Sequence, residues 1–211
     1  MKDKITSILK VLQLAERLKF ELRHSYLSSG RQESVAEHCW RMSLMAVLIE
    51  PLLKTRVDMT RMLKMIILHD LVEAEATDIS ALDVLRDPSI RLRKEEREKK
   101  AIENIRETLQ ETNGQEIYDL FHEFEKKETY EAKVANALDK LEVQLQHNHA
   151  DIATWEEIEY DMTYMMDKHV LFDETLTELK DQIESAATLK MESAGIDTTA
   201  VKRRMGKTPR Q

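Results

Sequence analysis

Apolar positions recur along this chain at the three- and four-residue spacing of helices. Residues 5–20 place Ile5, Ile8, Leu9, Leu12, Leu14, Ala15 and Leu18 on that rhythm, as one face of an amphipathic helix requires. The stretch 21–33, with Ser28-Ser29-Gly30 inside it, reads as a loop. Ser34-Val-Ala-Glu37 is a capping-box pattern, in which the Ser accepts from the amide near the Glu and the Glu reaches back. A helix is therefore expected from there to about Glu50, where Pro51 stops it, with His38 in its first turn. Asp58 or Thr60 caps the next helix, which carries Met62, Leu63, Met65, Ile66 and Leu68 and ends on His69-Asp70.

Beyond it, Thr77-Asp78 and residues 83–88 read as loop or short helical turns. A long charged helix is predicted over 90–110, broken at Asn113-Gly114, and another over 115–126. A third starts near Thr129 with Val134, Leu138, Leu141 and Leu145 on one stripe and Asp139 beside it. Two more follow at about 152–167 and 172–193. No repeat or linker interrupts the pattern.

Only four Gly and three Pro occur in 211 residues, and aromatic content is 5%. That composition favours an all-α protein, because helix interiors avoid Gly and Pro. The length allows one large domain or two small ones, and one domain, placed at residues 1–195, is the simplest reading. A basic tail over 196–211 is expected to be a mobile end.

The net charge of −8 argues against non-specific nucleic-acid binding, which needs clustered cations. The stretch 91–100 mixes signs and reads as a solvated helix face. The single cysteine, Cys39, forms no internal disulfide, which fits a reducing cytoplasm. No apolar run approaches the ~20 residues that span a bilayer, so no membrane partner is expected.

Against this background the pair His69-Asp70 stands out. A buried apolar run ending in an imidazole and a carboxylate needs a partner for both. With His38 and Asp139, two nitrogens and two carboxylates suit a divalent metal, held between facing helices. Glu73, four residues after His69, faces the same side and is placed to take a proton from water. Asp78 is a second candidate proton-transfer group, and the Arg23 guanidinium suits phosphate oxygens. Each residue also has a plainer reading. His38 alone fits a satisfied core histidine, Glu73 a helix end without a task, and Asp139 an ion pair with Lys133 or Lys140. His122, His147, His149 and His169 read as surface or structural residues.

Ser-Val-Ala-Glu-His38, Leu-His-Asp70-Leu-Val-Glu73, Thr-Asp78-Ile and Ala-Leu-Asp139-Lys together resemble the HD-domain metal-dependent phosphohydrolase superfamily. Within it they look like the YfbR-like 5'-deoxynucleotidase group. The resemblance, from about Leu9 to about Gln146, implies an all-α helical bundle around one divalent ion, Mn, Co, Fe, Mg, Zn or Ni, often in a homodimer. It implies metal ligation by His38, His69, Asp70 and Asp139, catalysis by Glu73 and Asp78, and substrate contact by Arg23 and His24. The implied reaction is hydrolysis of a deoxynucleoside 5'-monophosphate to nucleoside and phosphate. A nucleoside triphosphate or alarmone hydrolase and a non-catalytic metal-binding module are the alternatives. Two positions depart from the family pattern. Thr77 stands where Gly is usual, so a different loop path is expected. His24 stands where bacterial members often have a Trp that helps reject ribose.

Overall fold

The computed structural model describes residues 1–79, 83, 84, 87 and 89–206. Most of the stretch 83–88 therefore lies outside the described residues. Among the described residues eight helices carry or frame the central bundle: α1 Lys2–Ala15, α2 Val35–Ile49, α3 Met59–Leu68, α4 Glu73–Ala76, α5 Ser89–Thr108, α6 Gly114–Lys126, α7 Tyr130–His149 and, after two short helices, α10 Glu174–Ser193. The short helices are α8 Glu157–Met162 and α9 Asp167–Val170, and α11 Thr198–Arg204 closes the order.

The local start signals act as expected. The Ser34 hydroxyl accepts from the Glu37 amide at 3.3 Å, and the Glu37 carboxylate accepts from the Ser34 amide at 2.9 Å. Asp58 accepts from the Arg61 amide, and Thr129 from the Ala132 amide. These bonds satisfy amides that have no partner in the first turn. At its other end α2 stops at Ile49, and Pro51 sits in a tighter turn, Glu50–Leu52.

Three differences from the sequence reading stand out. The helix expected over 5–20 is α only to Ala15 and tightens into a 3-10 turn over Glu16–Lys19. The stretch read as a loop is a two-stranded hairpin, Leu22–Tyr26 against Gln32–Ser34, with Gly30 at φ +82° in its tip. Its strands are too short and irregular to show alternation. The helix expected over 152–167 divides into the turn Ile152–Thr154 and α8.

In the basic tail, residues 198–204 form α11, capped by Asp197. The buried Val201 packs with Trp155, Tyr164, Ala187 and Met191, and Arg204 pairs with Asp161 at 2.6 Å. The buried Val201 and the ion pairs of Arg204 with Asp161 and Glu157 order these residues of a segment whose composition suggested a mobile end. Residues 207–211 lie outside the described residues.

Helix α7 is the axis of the bundle. It packs against α2, α3, α6, α9 and α10 and the first strand of the hairpin. Leu138 and Leu141 are fully buried, and polar groups along the same helix are buried too: Asn136, Asp139, Glu142, Gln144, Gln146 and His147. Buried polar side chains need partners, and those partners converge at one place.

Candidate metal centre

Four elements meet there: the hairpin, the first turn of α2, the end of α3 with the turn into α4, and the middle of α7. His38 is buried at 0% exposure and His69 at 5%. His38 Nε2 lies 3.3 Å from Asp139 Oδ1 and 3.8 Å from Asp70 Oδ2, and His69 Nε2 lies 3.1 Å from Asp70 Oδ2. Among the described residues His38 Nε2, His69 Nε2 and Asp70 Oδ2 are buried without a hydrogen-bond partner. Ligand atoms of His38, His69 and Asp139 lie within 4.8 Å of one another. Nitrogen and carboxylate donors turned toward one point without bonding each other fit a divalent cation.

The outer nitrogens of both rings are engaged. His69 Nδ1 is 2.7 Å from the Ile66 carbonyl oxygen. His38 Nδ1 bonds the carboxylate of Glu142, itself fully buried and paired with Arg41. Such outer contacts fix which nitrogen faces an ion and raise its basicity.

Electrostatics support the same picture. Burial and the Arg23 charge press on the His38 imidazole, yet Glu142 and Asp139 outweigh them and raise its pKa to about 9. In the absence of an ion the carboxylates therefore keep a proton on this ring. Burial works against the Asp70 carboxylate, but His69, His38 and Arg23 hold it well below the usual range. Burial likewise opposes Asp139, and Lys140 and His38 hold it well down. The plainer reading of Asp139 is thus partly real, since Lys140 lies 2.8 Å away.

Glu73 is only 4% exposed, and among the described residues its Oε2 has no hydrogen-bond partner. Burial, with Asp70 and Asp78 nearby, raises it well above the ordinary carboxylate value. Burial and Asp70 also raise Asp78, against the pull of Arg23 and Lys94. The Asp78 amide donates to Glu21 at 2.8 Å, which ties this loop to the residue entering the hairpin. Thr77 adopts φ +65° and ψ +148°, a backbone region that favours Gly.

Arg23 comes to the centre, with Nη1 3.5 Å from Asp70 and Nε 3.6 Å from Glu33. His24 takes another direction. Its Nε2 lies 3.4 Å from Glu159 and 3.7 Å from Glu156. His147 is structural, as expected, with Nε2 3.2 Å from Ser25 Oγ and 3.1 Å from Glu159.

Sequence reasoning missed Glu142, Glu33, Arg41 and Lys94. Glu142 follows Asp139 by three residues and Arg41 follows His38 by three, so helical spacing put both on the right faces. Lys94 was absorbed into a solvated charge run. Its ammonium donates to the Ile79 carbonyl at 3.3 Å and lies 3.6 Å from Glu98.

The family profile described as HD domain matches residues 15–180. The chain belongs to the HD domain family. Over 142 residues this HD domain chain is 32% identical to the human 5'-deoxynucleotidase HDDC2, covering 66% of each protein. It thus spans about two thirds of that relative's length. The Dictyostelium discoideum 5'-deoxynucleotidase HDDC2 is 31% identical over 152 residues, 67% of this chain and 76% of its own. A solved structure of a predicted metal-dependent phosphohydrolase from Magnetospirillum magnetotacticum superposes with a TM-score of 0.73 at 25% identity, covering 92% of this chain and 98% of that one. Together with the buried His and Asp cluster, these likenesses bear out the all-α HD fold expected from the sequence.

Proposed function

We propose that this chain is a divalent-metal phosphohydrolase acting on (deoxy)nucleoside 5'-monophosphates. The observation that carries the reading is the set of buried His38, His69 and Asp70 ligand atoms that, among the described residues, have no hydrogen-bond partner, beside a Glu73 oxygen in the same state. His38, His69, Asp70 and Asp139 would hold the ion, with Mn, Co, Fe, Mg, Zn and Ni as candidates. When bound, the ion supplies Lewis acidity, polarising a phosphoryl oxygen and acidifying water.

Glu73 takes the proton from the attacking water as its oxygen bonds to phosphorus. Asp78 gives a proton to the 5'-oxygen as the phosphorus–oxygen bond breaks, so nucleoside and phosphate leave. Arg23 binds the phosphate oxygens, a task suited to its forked donors. The names of the 5'-deoxynucleotidase relatives support the substrate class. His24, turned toward Glu156 and Glu159, is proposed to reach substrate only through the strand it shares with Arg23.

The exposed side chains Trp40, Leu44, Val47 and Leu48 stand at helical spacing on α2. An uncharged apolar patch meets its own copy without repulsion, and a homodimer is the assembly proposed. Sedimentation as a single chain mass would overturn it. Among the described residues no helix is long and apolar enough to cross a membrane. The single cysteine and net charge of −8 support a cytoplasmic setting without a nucleic-acid partner.

The deciding experiment measures phosphate release from deoxy- and ribonucleotides, mono- to triphosphate, with Mn²⁺, Co²⁺ or Mg²⁺. Release from monophosphates is expected, and Glu73→Gln should lower kcat about 10²–10⁴-fold while metal binding persists. Pyrophosphate or triphosphate as product would favour the triphosphate or alarmone reading. Bound metal with no turnover on any nucleotide would leave the non-catalytic reading.

A further inference from the structure

Cys39 follows His38 on α2, and consecutive helical side chains project about 100° apart. Its sulfur, a ring nitrogen of His69 and a carboxylate oxygen of Asp70 all lie within 4.8 Å of one another. Among the described residues His69 Nε2 and Asp70 Oδ2 are buried without a hydrogen bond, although Arg23 approaches Asp70 at 3.5 Å. His69 Nδ1 faces the Ile66 carbonyl, so Nε2 is the one nitrogen this ring can offer.

We propose that the centre contains a second, sulfur-bearing ligand set, Cys39, His69 and Asp70, which takes a thiophilic divalent ion of the zinc and cadmium class. A thiolate is a soft ligand, and its presence shifts selectivity away from the hard ions that carboxylates prefer. The sulfur–metal bond forms as the thiol proton leaves to solvent, with no change of oxidation state. Both sets draw on the one His69 ring, whose Nδ1 is held at the Ile66 carbonyl, so an ion in one excludes an ion in the other. The centre is thereby a competition between a nitrogen–oxygen set and a sulfur-containing set. This inference rests on the reading of the cluster as a metal centre.

The test titrates metal-free, full-length protein with Cd²⁺ and follows the near-ultraviolet charge-transfer band of a cadmium–thiolate bond. Cys39 is the only cysteine, so any such band reports on it. Mn²⁺ binding is followed in the same preparation by electron paramagnetic resonance. The expected result is a band that saturates at one Cd²⁺ per chain, displacement of bound Mn²⁺ as it grows, and no band in Cys39→Ser or Cys39→Ala. His69→Ala should weaken Cd²⁺ binding roughly tenfold or more. Cadmium binding without the band, or a band whose midpoint is unmoved by His69→Ala, overturns the proposal. A cadmium band in a chain that binds no Mn²⁺ would instead support the sulfur set and remove the nitrogen–oxygen centre.

Discussion

Glu142 of α7 grips Nδ1 of His38 across the interface with α2, and both groups are fully buried. The contact decides which nitrogen of His38 is left to face Asp139 and Asp70. Arg41 balances the Glu142 charge from the turn after His38, so the pair is not an uncompensated carboxylate in the core.

Replacing Glu142 with Gln keeps the shape but removes one of the two charges, with Asp139, that make His38 basic. The expected outcome is Mn²⁺ affinity lowered about tenfold, read by titration of metal-free protein. Unchanged affinity would show that Glu142 does not act through His38.

Removing metal should also loosen the fold. A ligand that binds only the native state stabilises it by about 2.7 kcal/mol at one hundred times its Kd. The melting temperature should therefore rise with added Mn²⁺ and fall with chelator. A melt indifferent to both would contradict an ion held by His38, His69, Asp70 and Asp139.

Thr77 holds φ +65° beside the Asp78 loop. A β-branched residue is strained there, and Gly is not. Thr77→Gly should raise stability by about 1 kcal/mol, after allowing for the extra freedom of Gly in the unfolded chain. Urea unfolding measures it, and a destabilised variant would show that the Thr backbone carries no strain.

His169 supplies a pH dependence distant from the proposed ligands in sequence. Burial, with Lys140 and Lys168 nearby, lowers its pKa from 6.5 to about 4. Its Nδ1 accepts from the Asn136 amide at 3.1 Å, which suits the neutral ring. Between pH 6.5 and about 4 the unfolded chain takes up a proton that the folded chain resists. The stability from the neutral ring is thus fully present above pH 6.5 and is lost as pH falls toward 4. His169→Gln should flatten that part of the profile in urea unfolding at stepped pH. An identical slope in the variant would rule His169 out as its source.

The helix starts at Ser34, Asp58 and Thr129 were legible because each cap acts on an amide three residues away. The short, irregular hairpin carries no such signal, and the order of residues 198–204 depends on Val201 finding a distant apolar cluster. The residues singled out for chemistry differ in the same way. His38, His69, Asp70 and Asp139 stood out as polar groups in apolar helices. Glu142, Glu33, Arg41 and Lys94 looked like ordinary charges until the chain brought them together.

Sequence alone determined the all-α class, the helix starts and the motif residues, because these follow from interactions within one or two turns. Tertiary structure decided that Glu142 would orient His38, that Arg23 would face Asp70 and His24 would not, and that Cys39 would lie beside His69. Those pairings cross separations as large as 104 residues, and only burial in one shared core, where an unpartnered polar group is expensive, selects them.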